Sequence, residues 1–259
     1  MRLKWFNSKS SVQRKLLIAF LCLIVFPLGL YSYVSLTISK NTLEEQASAS
    51  TLSMLGLISE KLNIMAADVV SVSNLYFANE DLHSMLMQPF GLGSYEEAAK
   101  KQFLIKMIVN YKFAFTWLEY YTSVFGRNGF ELHTYYDGSK IGIHTLEQES
   151  WYDEIMQHDG GIVWLADPSK RLIPIVNENH FITAVRALKD FESGKPLGLL
   201  MINVNESFLY KQYAYAGKEY ERIVMVDRAG TVISAKDKSL IGENLSGDTY
   251  YSRIQPGLR

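Results

Sequence analysis

The side chains best suited to covalent or metal chemistry are scattered through this sequence. Of the five histidines, His83, His133, His144, His158 and His180, no two stand at the HExxH spacing that sets a pair of imidazoles on one helical face. The single cysteine, Cys22, falls in the most apolar stretch, so neither an intrachain disulfide nor a thiolate zinc site is expected. There is no Walker loop, no GxGxxG opening a helix and no GxSxG elbow, and Gly91-Leu92-Gly93-Ser94 reads as the loop before a helix. The carboxylates Glu147, Glu149, Asp153 and Glu154 surround a predicted helix, where solvated faces are the default for acids and a hydrolytic pair is the exception. Asn205-Glu206-Ser207 and Asn244-Leu245-Ser246 are chance sequons outside a eukaryotic secretory pathway. No catalytic residue, cofactor or metal is expected.

The candidate site is of a different kind. Tyr121, Trp151, Tyr152, Trp164 and Arg186 fall on or beside predicted strands. Aromatic walls with one guanidinium can stack on and hydrogen-bond a polar small molecule such as a sugar. For each aromatic taken alone, plain core packing is the competing reading, and for Arg186 a surface strand position. Asp227, before Arg228-Ala229-Gly230, reads as a turn residue.

Those residues must be positioned by a chain of 259 residues that is 48% apolar, enough to bury a core. Its formal net charge of −1 gives no electrostatic reason for a nucleic-acid partner. Residues 16–38 contain no Asp, Glu, Lys or Arg and are long enough at helical rise to cross a bilayer. Arg2, Lys4, Lys9, Arg14 and Lys15 precede that run without an acid, which places the tail, residues 1–15, in the cytoplasm and everything after residue 38 outside. A cleaved signal peptide with small residues Ala47, Ser48 and Ala49 is the alternative, against which stand the length of the apolar run and the distance to that site.

Thr42 and Glu45 have capping-box spacing, and beyond them Leu55, Ile58, Leu62, Met65, Val69, Val72 and Tyr76 recur in alternating steps of three and four. The spacing predicts a long helix whose seam packs either on a partner helix in a homodimer or on the chain's own domain. A break at Pro89, Gly91 and Gly93 precedes a second helix, capped by Ser94 and running to about residue 113. Residues 39–114 are thus the external helices.

From residue 115 the texture changes to short β-branched and aromatic runs, and the fold class becomes α+β with antiparallel sheet. Strands at 120–125 and 130–136 flank an Asn128-Gly129 turn, a helix covers 150–157, and further strands lie at 162–165, 181–188 and 197–204. Asn205 caps a linking helix, 206–213. A second hairpin starts at residue 222, and MVDRAGTVI (225–233) lines up with VFGRNGFEL (124–132), as in a tandem repeat of one module. The expected organisation is a module at 115–205 and a linker helix with an incomplete second module at 206–259.

The order of a basic tail, a membrane helix ending FPLGLYSYVSLTI, a long outward helix and two sheet modules resembles the double Cache input region of bacterial transmembrane receptors, most closely the YesM-like sensor histidine kinases of two-component systems. SWYDEIMQHDGGIVWL (150–165), ITAVRAL with GKPLGLLMINVNESFL, and VMVDRAGTVISAKDKSLIGENL (224–245) carry the resemblance. It implies two PAS-like modules, a membrane-distal one that binds ligand and a membrane-proximal relay. It also implies a kinase domain after a second membrane span beyond Arg259, through which a cognate response regulator would be reached. Amino-acid-sensing members of the wider group carry an Arg two positions before a Trp-Tyr pair; here Glu149 stands there before Trp151-Tyr152. The resemblance therefore points to a sugar or another neutral solute. The alternatives are the sensor region of a chemotaxis receptor and a membrane-anchored binding protein that does not signal.

Overall fold

The computed structural model describes residues 12–91, 93–134, 142–158, 160–165, 180–216, 223–248 and 251. The basic residues Arg2, Lys4 and Lys9, the end of the strand expected at 130–136, the start of the second hairpin at residue 222 and most of the chain after residue 248 lie outside them. The chain divides into two units, Met1–Leu57 and Ile58–Arg259. In the first unit the described residues are helical, Pro27 included, and residues 14–53 are exposed. The helix α1 (Val12–Phe77) contains a window of mean hydropathy 2.3, none of it buried, and is long and apolar enough to cross a membrane. It runs through Thr42, Glu45 and Gly56 without restarting, so the capping-box spacing marks no helix start.

In the second unit the seam residues Met65, Val69, Val72 and Tyr76 are all at most 6% exposed and join the main core. Of the two partners the seam allowed, its own domain is the one these four side chains meet. The helix stops at Phe77, earlier than the Pro and Gly residues suggested. Asn79 caps a new helix, α2 (Glu80–Met87), by accepting from Leu82 N at 2.7 Å, and Glu80 and Asp81 occupy the favoured first turn. Ser94 caps α3 (Tyr95–Ala114) as expected, while the Glu97 carboxylate reaches back to Gly91 N and Gly93 N at 2.6 and 3.0 Å.

Five antiparallel strands follow: β1 (Tyr120–Gly126), β2 (Glu131–His133), β3 (Ile162–Leu165), β4 (Phe181–Lys189) and β5 (Pro196–Asn205), in the spatial order β2-β1-β5-β4-β3. Two short helices, α4 (Ile143–Leu146) and α5 (Tyr152–Gln157), interrupt them. The last strand in sequence is the central one, paired with β1 from Tyr120↔Val204 to Gly126↔Gly198 and with β4 along its other edge. A Cβ at Gly198 would collide with the Phe125 carbonyl, which is why glycine sits at that crossing.

Strand alternation gives the sheet two unlike faces. Val124, Leu200, Ile202, Ala184 and Leu188 face the long helix, where the Tyr76 hydroxyl bonds Thr122 Oγ1 at 2.8 Å. Phe125, Leu199, Met201, Val185 and Ala187 form a second cluster with Ile143, Leu146, Trp151, Tyr152 and Ile155 of the short helices and their flank. Helix α6 (Glu206–Tyr213), capped by Asn205 accepting from Ser207 N at 2.7 Å, leads to a separate hairpin of β6 (Val224–Val226) and β7 (Val232–Ala235).

The two hairpins share their turn geometry. Gly129 has φ 88° and Gly230 has φ 85°, and the pairs Phe125↔Glu131 and Val226↔Val232 fall at matching positions of the aligned segments before β6 shifts register. Asp227 is a turn residue, its carboxylate accepting from Ala229 N and Thr231 N.

Candidate functional site

The five residues expected to line one pocket do not share a surface. Trp151 and Tyr152 sit in the cluster under α4 and α5, and Tyr121 lies on that same face, in register with Asn203. Arg186 is one residue out of phase with Val185 and Ala187, so it emerges on the opposite face. There its Nη1 donates to Asn74 Oδ1 at 2.7 Å and Ser73 Oγ at 3.2 Å, and its guanidinium carbon lies 3.9 Å from the Phe77 ring centroid. Its role is to tie β4 to α1. Trp164 pairs with Ala184 and so belongs to that face too. It borders a groove of about 980 Å³ with Leu62, Met65, Ile182, Leu209 and Met225.

On the face that holds Tyr121, Trp151 and Tyr152, the structure adds residues that sequence reasoning passed over. Ser123, Thr183 and Asn203 stand on adjacent strands, each at most 3% exposed. Thr183 Oγ1 donates to Asn203 Oδ1 at 2.8 Å, which turns the Asn203 amide so that Nδ2 is buried and has no partner among the described residues. Trp151 Nε1 is in the same state. Buried N–H groups without acceptors are rare because each costs the lost hydration of a polar group, so these two make the cluster on this face able to take an acceptor, as does Arg186 Nε, also buried without a partner among the described residues, on the opposite face. The signal was present in LLMINVN, where Asn203 interrupts an apolar strand at a position whose neighbours on the same face are buried.

The surroundings define the chemistry further. Ser123, Thr183 and Asn203 bring polarity without charge. Tyr121 contributes a ring wall, its centroid 6.3 Å from that of Phe181, with Lys112 Nζ 5.3 Å from its ring centre. The Tyr152 phenol is raised above its usual range, first by burial and then by the neighbouring Glu147, whose Oε1 accepts from it at 3.5 Å. The arrangement can stack and hydrogen-bond a solute. Among the described residues no three His, Cys, Asp or Glu side chains gather to hold a metal.

No protein-family model matches the sequence, and no curated protein matches it. Solved structures of the same fold are found among bacterial sensory domains. The ligand-binding domain of the Campylobacter jejuni chemoreceptor Tlp3, in complex with L-valine, superposes with a TM-score of 0.53 at 13% identity, over 85% of this chain and 81% of that one. The sensory domain of the same receptor with isoleucine bound gives the same TM-score, 0.53, at 13% identity and the same coverage, 85% and 81%. The sensor domain of the Vibrio cholerae histidine kinase DctB also has a TM-score of 0.53, at 11% identity, over 73% of this chain and 66% of that one. These similarities establish that the chain shares the α+β fold of those domains, with its antiparallel sheet and long N-terminal helix. At such identity they carry no residue across.

Proposed function

We propose that this chain is the ligand-sensing region of a bacterial transmembrane receptor, anchored by residues 16–38 with its N-terminus in the cytoplasm, and that it responds to a small neutral solute such as a sugar. The pair of unpartnered buried donors, Asn203 Nδ2 and Trp151 Nε1, carries this reading. A hydroxyl or ring oxygen is the kind of acceptor either donor lacks, whereas an ammonium would meet donors and an uncharged floor. Binding there favours one arrangement of the sheet over another, and the receptor passes that bias on. In this reading residues 115–205 are the distal sensor module, 206–259 belong to the linker and membrane-proximal module, the working unit is a homodimer, and a YesM-like histidine kinase is the output. The Tlp3 neighbours support a second reading with the same input and a chemotaxis output. A membrane-anchored binding protein without output is the third.

The test is calorimetric titration of residues 39–259 with myo-inositol, D-glucose and L-valine. Binding of a polyol or sugar that Asn203→Leu weakens at least about tenfold, the loss of roughly one buried hydrogen bond, is the expected result. Tight binding of L-valine with none of the neutral solutes would sink the neutral-ligand reading.

A further inference from the structure

The residue after the central strand does two jobs at once. Its backbone is still part of the first sheet, since Glu206 N donates to His180 O at 3.1 Å beside the start of β4. Its side chain, 2% exposed, belongs to the second sheet. The carboxylate accepts from Ser234 Oγ and from Ala235 N at 3.3 Å, and Lys238 Nζ lies 2.8 Å from Oε1 and 2.6 Å from Oε2.

The other end of α6 returns to the same place, where the Tyr213 hydroxyl donates to Ser234 Oγ at 2.6 Å. Burial pushes that phenol up to about 12, so it remains a donor at any physiological pH. Lys238 is held a third way, donating to Ala235 O at 2.8 Å with its ammonium 4.3 Å from the Tyr210 ring centre. Both ends of the linking helix are therefore fastened to one residue of β7. A buried carboxylate with all its partners cannot slide without leaving charge unpaired in a dry site.

We propose that this clasp is the coupling element between the two sheets, with Glu206 as the positioning residue that carries a displacement of β5 into β7. The inference rests on the reading of Asn203, three residues upstream on β5, as part of the ligand floor. Ligand then acts near one end of a strand-helix unit whose helix packs on the main core through Phe208 and Leu209 and is fastened to the second hairpin at Ser234. The groove beside Met225 leaves that hairpin room to shift.

Amide hydrogen exchange on the full chain in detergent micelles tests it, with the floor perturbed by Asn203→Ala in place of a ligand. In the wild-type background this substitution is expected to change exchange across residues 224–235 by about threefold or more, and in the Glu206→Gln background to leave those residues where Glu206→Gln alone puts them. A carboxylate that only stabilised the hairpin would speed exchange by itself while leaving the effect of Asn203→Ala intact, and that result overturns the proposal. So does an unchanged hairpin in the wild-type background. Should Glu206→Gln expose the whole chain to exchange, Ser234→Ala takes its place, because it breaks the shared hydroxyl and keeps the ion pair. Sugar binding measured on the wild type separates the two ideas: no binding sinks the floor reading alone, and binding without coupling sinks the clasp alone.

Discussion

At the scale of single residues the sheet floor trades stability for an open donor. The Asn203 amide is held by one hydrogen bond, from Thr183. Thr183→Val keeps the shape and removes that bond, leaving the whole amide buried and unpaired, and is expected to cost about 1–3 kcal/mol in urea unfolding. A neutral solute that caps Asn203 should recover part of the loss, so the variant's melting temperature is expected to rise more on adding it than the wild type's.

His83 makes a second residue-scale prediction. It is 2% exposed, its Nε2 donates to Phe77 O at 2.8 Å, and its ring stacks on Phe191 with centroids 4.2 Å apart. Burial lowers its pKa below the usual 6.5, against the opposing pull of the Phe77 carbonyl and Asp190. The unfolded chain therefore takes up the proton first as pH falls. The stabilisation is complete above about pH 6.5 and is lost as pH falls from there through the folded-state pKa. Between pH 7.5 and 5.5 the urea midpoint of the wild type is expected to drop further than that of His83→Gln, which retains the bond to Phe77 without titrating.

At the scale of elements, periodicity carried most of the information. The strands and the linking helix are legible because β-branched runs and an Asn cap leave few other options, and α6 falls on the residues expected of it. The break between α1 and α2 was hidden because no proline or glycine marks it and helical residues such as Leu82 and Leu86 resume within one turn. Only the Asn79-Glu80-Asp81 start signal reveals it. The site was half legible: sequence places aromatics near strands, but the face each one takes depends on register, and a one-residue offset sent Arg186 to the helix side. The seam itself makes a sharp contrast. Met65→Ala should cost about 2–5 kcal/mol, as for other buried large-to-small changes. Leu55→Ala, at a position 47% exposed, should stay within about 0.5 kcal/mol. Chemical denaturation of the two variants measures both, and equal losses would mean that Leu55 is covered by another chain.

For the whole molecule, the membrane reading has a direct test. The full chain is expected in the detergent phase after cloud-point separation, and a form beginning at residue 39 in the aqueous phase. Both forms in the aqueous phase would remove the anchor. The sheet order has a further consequence, for biosynthesis. The strand that completes the sheet, β5, is the last of the five to leave the ribosome, and until it arrives β1 has only the three-residue β2 to pair with. The apolar edge of β1 must wait unpaired while residues 127–195 are made, because the pairing that would shield it is non-local. A nascent chain paused in that interval presents an open strand edge, and there a chaperone would have most to protect.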